Sequence, residues 1–166
     1  MMLVICDIDG VVADCTKRLP YAKSKQYDRF YADYMIKEDE EIPDGIAMLE
    51  SLYLGGARIV FCTGRNESCR EATVKWLRKH VPRISIDALY MRKNGDHRKA
   101  DKVKPEMVEK ILESYEAREI EFKNILFIDD DFNNVKAVAA ANNNITVLDF
   151  GIRTLYEQDE PVEEKE

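Results

Sequence analysis

The sequence predicts an α/β fold: a doubly wound parallel sheet of five core strands, ordered 5-4-1-2-3, with at most a small helical insertion. Three observations carry this. Short apolar runs closed by turn residues recur along the chain and read as buried strands, beginning with Leu3-Val4-Ile5-Cys6. Stretches whose apolar residues repeat at helical spacing separate them, and that alternation builds parallel sheets with helices on both faces. Polar side chains, above all Asp7, Asp9, Thr63, Asp129 and Asp130, gather where the runs end. In open α/β sheets, ligands bind at those ends, at the point where the strand order reverses. Right-handed crossovers leave few ways to wind such a chain. It runs outward from strand one through two and three, then returns to place strand four on the other side of strand one. Asp7 and Asp129 then stand at adjacent strand ends and face one crevice.

Residues 3–7 are the first strand, and 10–25 carry no period and read as a loop. Tyr27, Phe30, Tyr31, Tyr34 and Met35 repeat at helix spacing, which predicts a helix over 26–37. Residues 39–42 form an acidic loop. Pro43 suits a first helical turn, Ile46 and Leu49 mark its inner face, and Gly55-Gly56 ends it. Residues 58–62 are the second strand, with Thr63-Gly64-Arg65 as its turn. Asn66 can cap a helix that turns Cys69, Ala72, Trp76 and Leu77 inward and stops at Pro82. Residues 88–91 are the third strand, and a loop runs from there to Val103. Pro105 opens a helix carrying Val108, Ile111, Leu112 and Tyr115. Residues 124–128 are the fourth strand and end in Asp129-Asp130-Asp131, where Asp131 suits a helix N-cap. The helix after it bears Val135, Val138 and Ala139, and 145–148 are the fifth strand.

Composition sets the bounds. With 166 residues, 45% of them hydrophobic, the chain has material for one core. No apolar run approaches the ~20 residues of a membrane span. A strand begins at once, so no signal peptide is expected. Cys6, Cys15, Cys62 and Cys69 form no CxxC pair, which points to reduced thiols and a cytoplasmic location. The expected organisation is one α/β domain over 1–156, with a minor insertion at 13–42, and an acidic, disordered tail over 157–166. That tail holds six acidic residues and one lysine, whereas 92–104 hold six Lys or Arg and two Asp. One basic loop on a nearly neutral body suits gripping one or two phosphates rather than an extended duplex.

Side chains at i and i+2 of a strand share a face, so Asp7 and Asp9 are expected to project together. Adjacent anions repel unless a cation or a shared proton relieves them. Mg²⁺ takes oxygen ligands, commonly one or two carboxylates, and Asp7 and Asp129 supply that. A carboxylate can attack phosphorus to give an aspartyl-phosphate, provided cations bridge the two anions, and Mg²⁺ and Lys104 would do so. Asp9 can then protonate the leaving oxygen and later deprotonate water. Thr63 could hydrogen-bond a phosphate oxygen beside the helix start that follows it. Plainer readings stand next to these. Asp9-Gly10 also suits a turn, Thr63 a cap, and Lys102 competes with Lys104. Asp101 either orients Lys104 or is loop charge. His80 and His97 read as surface or structural residues. The aromatic set around Tyr27 reads first as core packing and second as a base-stacking platform.

Asp7-x-Asp9-Gly10, Thr63, Lys104-Pro105 and Asp129-Asp130 resemble, in order and at strand ends, the four motifs of the haloacid dehalogenase-like (HAD) phosphohydrolases. The resemblance implies a HAD-like Rossmannoid fold, Asp7 as nucleophile and Asp9 as general acid/base. It also implies phosphate contacts from Thr63 and Lys104. Mg²⁺ would be held by Asp7, by Asp129 or Asp130, and by the backbone carbonyl of Asp9. Arg18-x-Pro20-Tyr21, Thr63-Gly64-Arg65-x-Glu67-Ser68, Met91-Arg92, Gly95-Asp96-x-Arg98-Lys99 and Val103-Lys104 are further similar to the 3′-phosphatase domain of bacteriophage polynucleotide kinase–phosphatase. That likeness implies that Arg18, Gly64 and Arg65 join the phosphate site. Each arginine can bind phosphate through a two-pronged, charge-assisted contact. The family's acidic pair before Val-x-Lys is here Ala100-Asp101, and the chain has no GxxxxGK[ST], so no kinase activity is expected of it. The expected substrate is a 3′-phosphate on a DNA or RNA end or a nucleotide, with a separate kinase or ligase as partner and no membrane. The alternatives are a nucleotidase or small-molecule phosphatase of the same fold, and a non-catalytic phosphoacceptor or binding module.

Overall fold

Alternating strands and helices leave the chain two apolar layers to fill, one on each face of a sheet. The computed structural model describes residues 1–151. In chain order it contains β1 (Met2–Cys6), β2 (Ala13–Asp14), a 3₁₀ turn (Thr16–Arg18), α1 (Leu19–Lys23), α2 (Tyr27–Phe30), α3 (Asp33–Ile36), β3 (Glu40–Glu41) and α4 (Pro43–Leu54). There follow β4 (Arg58–Asn66), a 3₁₀ turn (Glu67–Cys69), α5 (Arg70–His80), β5 (Ile86–Arg92), α6 (Ala100–Glu116), β6 (Asn124–Asp129), α7 (Phe132–Ala141) and β7 (Thr146–Asp149). The five-stranded sheet is parallel and ordered β5-β4-β1-β6-β7, the expected order. The expected tail, 157–166, and the end of the 1–156 span lie outside the described residues.

Strand period places the two layers. Val4 and Cys6 of β1 join Ile59 and Phe61 of β4 against α4 and α5, through Leu49, Trp76 and Leu77. Leu3 and Ile5 face the other way, with Val60, Cys62 and Phe127, against Val108 and Ile111 of α6 and Val138 of α7. Register then fixes the site. Cys6 pairs with Phe61 on one side and Ile128 on the other, so Asp7, Cys62 and Asp129 follow at one level. The Asp7 amide extends the ladder by donating to the Ile128 carbonyl at 2.8 Å.

Several expected boundaries move. The helix expected over 26–37 is two single turns, α2 and α3, broken at Ala32, whose backbone is extended (ψ 137°). Pieces this short have too few internal bonds to be stable alone and are held by tertiary contacts. The 10–25 loop contains a 3₁₀ turn and α1. Thr63-Gly64-Arg65 is not a turn: β4 runs on to Asn66 through an irregularity between the Thr63–Met91 and Asn66–Arg92 pairs. Such bulges re-aim side chains near functional sites. The following helical start therefore does not lie directly after Thr63. Asn66 caps the 3₁₀ turn by accepting from the Ser68 amide. The helix expected to open at Pro105 begins at Ala100, with Asp101 in its first turn, where the dipole favours an acid, and Pro105 inside it.

α4 crosses closely over the loop after β1. A Cβ added at Gly45 would lie 1.7 Å from the Val11 carbonyl oxygen. Gly45→Ala gains up to about 1 kcal/mol of helix propensity, but forcing a methyl against backbone costs about 1–3 kcal/mol. The expected outcome is a net loss, read as a lower urea midpoint with unchanged slope.

Candidate active site

Two buried ionic clusters meet at the carboxyl edge of the sheet. The first forms around Lys104. Six inward positions of α6 repeat at helical spacing, Val103, Lys104, Met107, Val108, Ile111 and Tyr115. The stripe that buries Val108 and Ile111 thus also drives the Lys104 ammonium under the strand ends. Its Nζ lies 2.8 Å from Asp7 Oδ2 and 2.9 Å from Asp129 Oδ2, and donates to the Cys62 carbonyl at 2.8 Å. Asp7 Oδ1 accepts from the Ile8 amide at 2.7 Å. Asp129 Oδ1 accepts from the Asp131 amide and from Asn134 Nδ2, both at 3.0 Å. Asp130 completes the group: ligand oxygens of Asp7, Asp129 and Asp130 lie within 4.8 Å of one another.

Three carboxylates thus share one ammonium. Burial pushes the Asp7 carboxyl up to about 8, Lys104 pulls it back, and Asp129 adds to the push. Burial, then Asp129, lifts Asp130 to about 6. Burial opposes charge on Lys104, but Asp129 and Asp7 hold its ammonium well above the usual lysine range. A hard divalent cation is what an all-oxygen set with surplus negative charge accommodates, so the residues fit Mg²⁺. Gly10 makes room for the Asp130 carboxylate. Its φ is +78°, and a Cβ there would stand 2.0 Å from Asp130 Oδ2.

The second cluster is balanced. Arg18 and Arg65, both fully buried, each reach Asp9 Oδ1 at 2.6 Å. Asp39 lies behind them: Arg18 meets it through Nε at 2.9 Å and Nη2 at 2.9 Å, and Arg65 through Nη2 at 2.8 Å. The Asp39 carbonyl in turn accepts from Trp76 Nε1 at 2.9 Å. Burial works against an ionised Asp9, but Arg65 and Arg18 hold its carboxyl down at about 2. Arg18 Nη1 is buried with no partner among the described residues, a guanidinium donor still free for an anion. Phe30 underlies the Arg18 guanidinium, 4.6 Å from ring centroid to Cζ. Thr63 is buried, and its Oγ1 accepts from the Arg65 amide at 3.2 Å, leaving its own hydrogen to donate.

The structure therefore brings Asp7, Lys104, Asp129 and Asp130 into one cluster and Asp9, Arg18 and Arg65 into another, with Thr63 and Gly64 on the same strand end. Asp7 and Asp9 are not strand neighbours as expected from their spacing. β1 ends at Cys6, and their carboxylates take different partners. Lys102 is exposed, so the lysine in the cluster is Lys104. Asp101 keeps a buried Oδ1 without a partner among the described residues, and no bond joins it to Lys104 there. Asp131 caps α7 through the Asn133 amide at 2.8 Å. His80 stacks on Trp76 and meets Glu41, a structural place. Two polar residues escaped sequence reading. Asp39 sits in what reads as an acidic loop, inside the run Glu38-Asp39-Glu40-Glu41, and nothing local sets it apart from its neighbours. Asn134 reads as one more helix-start polar residue.

Known proteins share this fold. Residues 1–148 match the family model described as the polynucleotide kinase PNKP phosphatase domain. Two solved structures titled for the Pnkp1/Rnl/Hen1 complex, one of them as an RNA repair complex, contain chains 27% and 26% identical, with TM-scores of 0.58 and 0.65. They align over 82% and 89% of this chain but only 38% and 44% of theirs, so it spans less than half of each. A D,D-heptose 1,7-bisphosphate phosphatase from B. bronchiseptica, complexed with magnesium and phosphate, is 18% identical over 98% of this chain and 89% of its own, TM-score 0.59. At that identity it shows the fold alone. No curated protein matches the sequence.

Two outcomes are expected. Asp39→Asn removes the shared counter-charge behind both arginines, and losing one partner of a buried pair costs roughly 3 kcal/mol or more, read by urea unfolding. The folded Asp9 value of about 2 lies below the unfolded value of about 3.9. Its stabilisation is therefore present above about pH 4 and is lost as pH falls through about 2, amounting to roughly 2.5 kcal/mol. The urea-midpoint gap between wild type and Asp9→Asn should narrow from pH 5 to pH 2.

Proposed function

The chain belongs to the polynucleotide kinase PNKP phosphatase-domain family of HAD phosphatases, and from that premise we propose a Mg²⁺-dependent phosphomonoesterase that removes 3′-phosphate from DNA or RNA ends through an aspartyl-phosphate. One observation carries the reading: a cluster short of positive charge lies beside an arginine pair with a donor to spare. A phosphate dianion needs both, a cation to share with the attacking carboxylate and guanidiniums for its remaining oxygens.

In the proposed reaction, Asp7 attacks phosphorus in line, the phosphorus–oxygen bond to the 3′-oxygen breaks, and that oxygen takes a proton from Asp9. Asp9 then withdraws a proton from water as the water attacks the aspartyl-phosphate, which frees phosphate and restores Asp7. Without substrate, Arg18 and Arg65 keep Asp9 ionised. An arriving phosphate competes for the same guanidiniums, and as they turn to it Asp9 loses two counter-charges and can take up the proton it must give. Lys104, Thr63 and the Gly64–Arg65 backbone would hold the non-bridging oxygens. Mg²⁺, held by Asp7, Asp129, Asp130 and the Asp9 carbonyl, would supply the charge neutralisation that lets one anion approach another.

The insertion between β2 and β3 is small, three short helices and a 3₁₀ turn, which leaves the crevice open to a strand end. The neighbours in a complex titled for RNA repair support a place beside a separate kinase or ligase.

The test is phosphate release from a 3′-phosphorylated oligonucleotide. Wild type should lose activity with chelator and regain it with Mg²⁺. Asp7→Asn should lose at least about a thousandfold in kcat, while its circular dichroism stays that of wild type. Full activity in Asp7→Asn would overturn the assignment, and a panel with mononucleotides and sugar phosphates separates the nucleotidase alternative.

A further inference from the structure

Beside the arginine pair lies a second concavity that the phosphate chemistry does not use. It is a cleft of about 350 Å³ between α2 and the loop after β5, lined by Tyr27, Asp28, Tyr31, Asn66, Asn94 and His97 among others. That volume is at the small end of ligand pockets. Tyr27 and His97, from segments far apart in sequence, stack with ring centroids 5.6 Å apart and planes at 27°. Tyr27 is 38% exposed, an unusual place for a ring serving only as core. Asn66 and Asn94 both accept from the Ser68 amide, at 2.9 and 3.0 Å, which ties two carboxamides to one wall.

The cleft joins the phosphate site directly. Tyr31 lines it and donates its hydroxyl to the Gly64 carbonyl at 3.2 Å, and Asn66 follows Arg65 in the chain. The neighbouring Phe30 ring lies under Arg18. The 27–31 segment thus faces the arginines with one residue, Phe30, and the cleft with three others, Tyr27, Asp28 and Tyr31. No lysine or arginine is among the described residues lining the cleft, and Asp28 is. A carboxylate repels phosphate but accepts from the exocyclic or ring N–H of a base.

We propose that this cleft seats the nucleobase of the nucleotide that carries the scissile phosphate, the base continuing the Tyr27–His97 stack with its edge against Asp28, Asn66 and Asn94. The inference rests on the phosphatase reading above and narrows its substrate to a base-bearing end. Stacking on aromatic rings tolerates every base, because each has a π-face.

The test compares two oligonucleotides alike except at the 3′-phosphorylated terminal residue, which carries a base in one and is abasic in the other. Wild type should prefer the base-bearing end by about tenfold in kcat/KM, the order of one base–aromatic stack. That preference should vanish in Tyr27→Ala and His97→Ala and survive in Tyr27→Phe, which keeps the ring. Equal rates on both ends in wild type, or a preference that persists in both alanine variants, would overturn the base site while leaving the phosphatase reading standing. Release from neither end by wild type with Mg²⁺ would overturn both.

Discussion

Everything at the carboxyl edge of this sheet answers to one constraint: a charge taken out of water must meet its opposite. Arg18, Arg65 and Lys104 are among the largest fully buried side chains of the protein, and none of the three is tolerable there alone. The arginines reach balance with Asp9 and Asp39. Lys104 does not, since Asp7, Asp129 and Asp130 outnumber it. One cluster is therefore self-sufficient and the other is poised for a cation. Asp7 and Asp9, two residues apart, sit in electrostatic surroundings that push their carboxyls in opposite directions, to about 8 and about 2.

The small insertion is what makes the arginine cluster possible. β2 and β3 clasp its two ends as a short antiparallel pair, Ala13 with Glu41 and Asp14 with Glu40. Arg18 leaves from just after the first strand and Asp39 arrives just before the second. Phe30 seats the Arg18 guanidinium, and Ile36 anchors the segment in the core beneath. The pieces are too short to be helices by propensity. They are held by what they touch, and what they touch is the site.

The other half is held by regular structure. Asp7 and Asp129 inherit their facing direction from strand period, and Lys104 from helix period. Asn134 and the Asp131 amide fix Asp129 from the start of α7, while Gly10 lets Asp130 close in. Rigid elements therefore aim the proposed nucleophile and metal ligands, and the more irregular insertion supplies Arg18, proposed to meet the phosphate. The cleft at Tyr27 and His97 extends that side outward.

The sheet, its strand order and the carboxylates and threonine near its strand ends were legible in the sequence, because period and turn residues are local properties, whereas the choice of Lys104 over Lys102 needed the packing of α6. The closing glycine of the Asp7-x-Asp9-Gly10 run was legible for the same reason. Legibility failed where a boundary or partner is set by distant residues. The break at Ala32, the continuation of β4 through Thr63-Gly64-Arg65 and the start of α6 five residues before Pro105 are settled by packing against other elements. Only the tertiary structure decided that Asp9 belongs with arginines and Asp7 with Lys104, and that Asp39 stands behind both guanidiniums. Charge pairing acts through space, and residues 9, 18, 39 and 65 share a site that no single stretch of chain contains.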